Sequence, residues 1–244
     1  MPASSQTYPI PQDVAVFDLD ACRDRFRIVA LGDSTTECNN ETAPMATQQR
    51  WTSILESLIG PWCKVVNAGI GHTTSGYAVY RWHRQVSPTQ PHCVVISFLL
   101  NDSHIRDYEC PSSYVVACTP DRMYSNLQTM VQWSRAMGAS PVFWTPPPVP
   151  RWPEAFFKNP DHLDIQLEIL DLYLLTVERV ARDLDVPLVD FWRTFPDLVE
   201  EYPGPYFNPP DNYHSNARSQ AILAEGIEQV IRPVFNSWSR RSGR

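Results

Sequence analysis

Short apolar runs alternate along the chain with longer stretches whose apolar residues recur at helical spacing. Five runs, at 27–31, 64–67, 93–99, 141–144 and 187–190, are rich in Val, Ile or Phe and too short for core helices, so they are predicted strands. Helices are predicted at 48–59, 122–137, 162–184 and 217–231. The third carries Leu163, Leu167, Leu170, Leu174 and Val177 on one stripe, and the last carries Ala221, Ile222, Ala224, Ile227 and Val230. Gly60-Pro61 stops the first, and Gly138 stands where a left-handed cap would close the second. Apolar strands joined by helical crossovers predict an α/β domain with a largely parallel five-stranded sheet covered on both faces.

The length of 244 residues, 43 % of them hydrophobic, suffices for one core without disulfide or metal staples. No internal stretch has a linker's composition, so a single domain is expected over 25–235. An N-terminal extension, 1–24, would pack on it, and 236–244 would form a C-terminal tail. The net charge of −7 and the lack of a basic run exclude a nucleic-acid partner. Neither a secretory start nor an apolar run of membrane length is visible, so no membrane span and a cytoplasmic location are expected. Six cysteines show no disulfide framework, although Cys110 and Cys118, eight apart in one loop, leave one pairing open. The six histidines lack metal-ligand spacing, so no metal is expected.

The chemistry gathers at predicted strand ends. Ser34 follows the first strand directly, behind Gly32-Asp33. Asp211 precedes His214 by three residues, a spacing that lets a turn fold the carboxylate onto the imidazole, fix its tautomer and free the other ring nitrogen as a base. After the second strand, Asn67-Ala68-Gly69-Ile70-Gly71-His72 allows a tight turn exposing N–H groups. After the third, Asn101 offers an amide beside Asp102. Cys38 lies close behind Ser34 and reads as packing rather than as a nucleophile.

In these four blocks the sequence resembles the SGNH, or GDSL-type, hydrolase superfamily over about residues 27–231. The resemblance implies a flavodoxin-like three-layer α/β/α fold and a serine esterase that needs no cofactor. It assigns Ser34 as nucleophile, His214 as base, Asp211 as acid, and Ser34, Gly71 and Asn101 as oxyanion-hole donors. Two departures stand out. The second block usually reads Asn-x-Gly-x-x-Gly, and His72 occupies the last position here. Gly71 is preferred as the donor because Thr73-Thr74 then aligns, with the His72 N–H as the alternative. In the third block Leu99 replaces a glycine, so Leu99 and Leu100 are expected to narrow the pocket floor or tilt the strand end.

The substrate expected is a small-molecule ester or acyl donor. Asp33, His72, Asp102 and Tyr213 are candidate substrate contacts, and the pocket border would include Tyr108, Tyr114, Trp144, Trp152, Phe156, Phe157, Tyr206 and Phe207. An acyltransferase that resolves the same acyl-enzyme with another nucleophile is a second reading, and a non-catalytic binding module a third. The chain holds 23 prolines and only 9 glycines. Scarce glycine flexibility is therefore expected at the oxyanion loops, with stiff proline loops at 145–153 and 202–210, the latter ending at Pro209-Pro210 immediately before Asp211.

Overall fold

All seven residues of the first strand, β1 (Phe26–Gly32), are buried, and their side chains alternate between two apolar clusters. Val29 and Leu31 enter one cluster, while Phe26, Ile28 and Ala30 enter the other. The same alternation runs through β2 (Cys63–Asn67) and β3 (Cys93–Ser97), which explains why the sequence shows continuous apolar runs: both faces are covered. The computed structural model describes residues 10–38, 45–107, 115–148, 163–195, 206–208 and 214–244.

Two short strands, β4 (Ile105–Asp107) and β5 (Val115–Val116), form a separate antiparallel pair. With β6 (Ser140–Thr145) and β7 (Leu188–Asp190), the first three strands build one sheet in the order β2-β1-β3-β6-β7, every neighbouring pair parallel. This is the flavodoxin-like order, in a three-layer α/β/α domain. The five sheet strands fall where the apolar runs predicted them.

The helices are α1 (Gln12–Ala15), α2 (Ser34–Glu37), α3 (Trp51–Ile59), α4 (Ser75–Gln85), α5 (Leu99–Ser103), α6 (Pro120–Ala136), α7 (Leu163–Asp183), α8 (Phe191–Thr194) and α9 (Ala217–Arg241). Residues of α4, α6 and α7 share the cluster of Val29 and Leu31, and those of α3 and α9 share the cluster of Ile28. Gly60 and Gly138 close α3 and α6 at φ of 108° and 74°, the left-handed stops that the sequence marks.

Three differences from the sequence-based elements have local causes. The α4 segment carries no clear apolar period in the sequence, because its buried stripe mixes Ala78 and Trp82 with Arg81 and Gln85. The strand expected to reach residue 99 stops at Ser97, since Leu99 already begins α5. The last helix runs on through Pro233 to Arg241. A proline inside a helix removes one hydrogen bond, but Phe235 and Trp238 pack on Phe26 at ring-centroid distances of 5.5 and 5.7 Å. Aromatic burial thus carries the helix across the boundary expected at 235/236.

Among the described residues, no helix is long and apolar enough to cross a membrane. Cys22, Cys38, Cys63, Cys93 and Cys118 are buried free thiols. Cys110 lies outside the described residues.

Candidate active site

β1 ends against its neighbours more closely than a side chain would permit. A Cβ on Gly32 would sit 2.0 Å from Thr36 Oγ1 and 2.9 Å from the Ser97 carbonyl oxygen. The chain then turns directly into α2, whose N-cap is Asp33. The Asp33 carboxylate accepts hydrogen bonds from the Thr35 N–H at 2.9 Å and from Thr35 Oγ1 at 2.7 Å, and Ser34 becomes the first helical residue.

The histidine arrives from the far end of the chain. Phe207 and Ser215 form an isolated antiparallel bridge, and the Asn208 N–H donates to the His214 carbonyl at 2.8 Å. Two residues later Asn216 caps α9 by accepting from the Arg218 and Ser219 N–H groups. Backbone pairing and capping together fix His214, which is 7 % exposed, and its Nε2 lies 3.0 Å from Ser34 Oγ. Residues 180 apart in sequence thus meet at hydrogen-bond distance. Asp211 and Tyr213 lie outside the described residues.

Residues 68–74 between β2 and α4 (loop two) are tied to the turn that carries Ser34 by contacts to its backbone. Asn67 Nδ2 donates to the Thr36 carbonyl at 2.7 Å, and Asn67 Oδ1 accepts from the Gly69 N–H at 2.9 Å. The Ile70 N–H donates to the Gly32 carbonyl at 3.1 Å. The Gly71 N–H, the preferred oxyanion donor in the sequence, is engaged by Glu37 Oε2 at 2.7 Å. His72, which is exposed, takes φ of 58°, the left-handed conformation for which the usual glycine is suited.

Asn101 is half-buried in α5, directly after β3, which pairs with β1. Leu99 and Leu100 do not narrow the site as expected. Leu99 turns into the main core, and Leu100 packs with Leu167, Leu170 and Trp192. The loss of the usual glycine is absorbed on the inner side of the helix.

Asp33 and Asp102 correct another expectation. They are 1 % and 0 % exposed, and their carboxylates face the protein interior rather than a ligand. Asp102 Oδ1 accepts from the Ser75 N–H at the start of α4 at 2.8 Å, linking the third block to the element after the second. Around it Asn126 Nδ2 donates to Ser75 Oγ at 2.9 Å, and Tyr173 donates to the Cys118 carbonyl.

Burial pushes the Asp102 carboxyl up to about 7, against the opposing effect of its Ser75 hydrogen bonds. A folded pKa raised above the unfolded value contributes stability in full below about pH 4, and that stability is lost as pH rises through about 7. The slope is about 1.4 kcal/mol per pH unit within that window. Asp102→Asn keeps an acceptor for Ser75 and has no charge to bury. Its melting temperature should therefore gain on the wild type by several degrees between pH 5 and 8, and parallel curves would contradict the assignment.

The remaining candidates resolve simply. Cys38 is a buried thiol pushed up to about 12 by desolvation, with Sγ 3.3 Å from Gln220 Oε1, as a packing residue would be. Trp144 is buried between Trp51 and Phe191, and Tyr206 and Phe207 are 5 % and 4 % exposed, so these three cover the core. Tyr108, Tyr114, Trp152, Phe156 and Phe157 lie outside the described residues, as do Pro209 and Pro210. Among the described residues no three His, Cys, Asp or Glu side chains gather as metal ligands.

A cavity of about 630 Å³ lies away from this site, against the edge strand β2. Its polar groups serve the strand: Glu56 accepts from the Val65 N–H at 2.8 Å and from Lys64, while Asp13 accepts from the Asn67 N–H at 3.2 Å. They cover an otherwise open sheet edge.

Solved structures of known proteins share this fold. A lipase/acylhydrolase from Enterococcus faecalis superimposes with a TM-score of 0.64 at 19 % identity, covering 85 % of this chain and 95 % of that one. An acetylxylan esterase from Geobacillus stearothermophilus gives 0.64 at 20 % identity, covering 85 % and 93 %. A Bacillus subtilis (strain 168) protein named "Uncharacterized lipoprotein YqeF" is 28 % identical over 181 residues, 69 % of this chain and 71 % of that protein. Residues 30–222, which hold all four motif blocks, match the sequence pattern of the GDSL-like Lipase/Acylhydrolase family, and the chain belongs to that family.

Proposed function

We propose that the protein is a serine esterase in which Ser34, His214 and Asp211 act as nucleophile, base and orienting acid. The observation that carries this reading is the 3.0 Å contact between Ser34 Oγ and His214 Nε2 at the carboxyl end of the sheet. With Asp211 as the orienting acid keeping the proton on Nδ1, Nε2 accepts the Ser34 hydroxyl proton as Oγ attacks the acyl carbonyl. The tetrahedral oxyanion is held by the Ser34 N–H, the Asn101 amide and one N–H of loop two. His214 returns the proton to the departing alcohol. Water, activated by the same imidazole, then releases the acid from Ser34.

Two points bear on the substrate. The acetylxylan esterases among the structural relatives support a small acyl group. Of the aromatic residues expected to border the pocket, Trp144, Tyr206 and Phe207 are buried in the core. A fluorophosphonate probe should label the wild-type chain once and leave folded Ser34→Ala unlabelled. Wild-type turnover of p-nitrophenyl esters should fall as the acyl chain lengthens from acetyl. Absent labelling together with absent turnover of every chain length would overturn the reading, and transfer to added alcohols in preference to water would turn it into an acyltransferase.

A further inference from the structure

Glu37 is the last residue of the four-residue helical turn that begins with Ser34, and its carboxylate reaches across to loop two. There Oε2 accepts the Gly71 N–H at 2.7 Å. A Cβ on Gly71 would lie 2.9 Å from that oxygen and 3.7 Å from Ser34 Cβ, so the contact stands beside the nucleophile. Below it Arg81, 2 % exposed, donates to the Gly32 carbonyl at 2.9 Å and lies within electrostatic reach of both Asp33 and Glu37. The carboxylate is therefore fixed by the Gly71 N–H, and the buried Arg81 cation adds attraction only at longer range. The next amide differs. His72 is exposed, sits at φ of 58°, and its N–H meets no acceptor among the described residues.

We infer that Glu37 is a positioning residue that clamps loop two through the Gly71 N–H and so presents the His72 N–H, rather than that of Gly71, to the developing oxyanion. This rests on the esterase reading above. The clamp explains how a histidine serves where the family has glycine: only its backbone is used, and Glu37 holds the loop in the left-handed turn that a glycine would adopt readily. It also couples the two blocks, because the residue that fixes the donor is three positions from the nucleophile on the same turn. An oxyanion donor acts mainly in the transition state, so loosening the clamp should lower kcat more than it changes KM.

The test uses the full chain, p-nitrophenyl acetate as probe, and hydrogen exchange at the Gly71 amide. Glu37→Ala should lower kcat by about 100-fold, as expected for a lost oxyanion donor, with KM within about threefold of wild type, and should expose the Gly71 amide to exchange. Glu37→Gln, whose amide oxygen can accept the same hydrogen bond, should recover most of the kcat and the protection. Gly71→Ala displaces the carboxylate with a Cβ and should reproduce the loss, while Glu37→Ala/Gly71→Ala should be no worse than either single variant. The Gly71→Ala result decides the matter if Glu37→Ala fails to fold. Wild-type kcat in Glu37→Ala, an equal loss in Glu37→Gln, or losses that multiply in the double variant would overturn the clamp. A wild type that turns over no ester overturns the esterase reading and the donor role of His72, whereas the exchange pattern still decides whether Glu37 holds Gly71.

Discussion

Ser34→Ala should lower kcat/KM for any ester the wild type hydrolyses by on the order of 10⁵-fold, equivalent to about 7 kcal/mol of transition-state stabilisation. The stability should change little. Ser34 is only half-buried, and the hydroxyl's one described partner is His214 Nε2, which faces the same cleft and can take up water in its place. His214→Ala should lose activity on the same scale, because the serine proton then has no acceptor. The double variant should be scarcely worse than either single one, since nucleophile and base act as one unit. Steady-state kinetics with matched denaturation midpoints would check this. Multiplying losses would show that Ser34 and His214 do not share a step.

The second large effect is expected at Gly69. A Cβ there would lie 2.3 Å from the Glu37 backbone nitrogen and 2.7 Å from Glu37 Cα, and both belong to the helical turn that begins with Ser34. Main chain cannot step aside as the end of a long side chain can. Gly69→Ala should therefore cost about 3 kcal/mol, at the upper end for overpacking, and should lower turnover by pushing loop two away from Ser34. Gly76→Ala supplies the contrast. Its Cβ would meet Asn126 Nδ2 at 3.5 Å, ordinary contact, inside helix α4 where alanine is favoured. It should be neutral or stabilising by up to about 1 kcal/mol. Urea unfolding of both variants would decide, and equal midpoints would refute the close approach of the two blocks.

These glycines change the meaning of the odd glycine count. The sequence leads one to expect that glycine supplies backbone freedom at the oxyanion loops. Gly32, Gly69, Gly71 and Gly76 instead lie outside the left-handed region; Gly32 and Gly69 are required because backbone crowds their Cβ positions, whereas at Gly71 only the end of the Glu37 side chain would have to move. Positive φ is taken by Gly60 and Gly138 at helix ends, and near the site by Cys38 and His72. A glycine chosen for closeness cannot be told from one chosen for conformation without knowing what lies beside it.

Much of the architecture was legible because short-range signals agreed. Strands buried on both faces must read as continuous apolar runs, and the stripes of α7 and α9 repeat at helical spacing. Where burial is polar the signal fades: α4 hides Arg81 and Gln85 on its inner face, and so no apolar period announces it. The run through Pro233 was hidden for a related reason, since Trp238 is anchored by Phe26, which lies more than 200 residues earlier in the chain.

For the site, the sequence by itself determined which chemical groups are present and in what order: a serine behind Gly32-Asp33, donors after the second and third strands, and a histidine before the last helix. It could do so because each block is local, a few residues whose types declare their chemistry. The tertiary structure decided which atoms are committed to one another. It brought His214 to 3.0 Å from Ser34, buried Asp33 and Asp102, turned Leu99 and Leu100 inward, and gave the Gly71 N–H to Glu37. A hydrogen bond depends on separations of a few tenths of an ångström between segments far apart in the chain, and those separations are set by how the sheet and its helices pack.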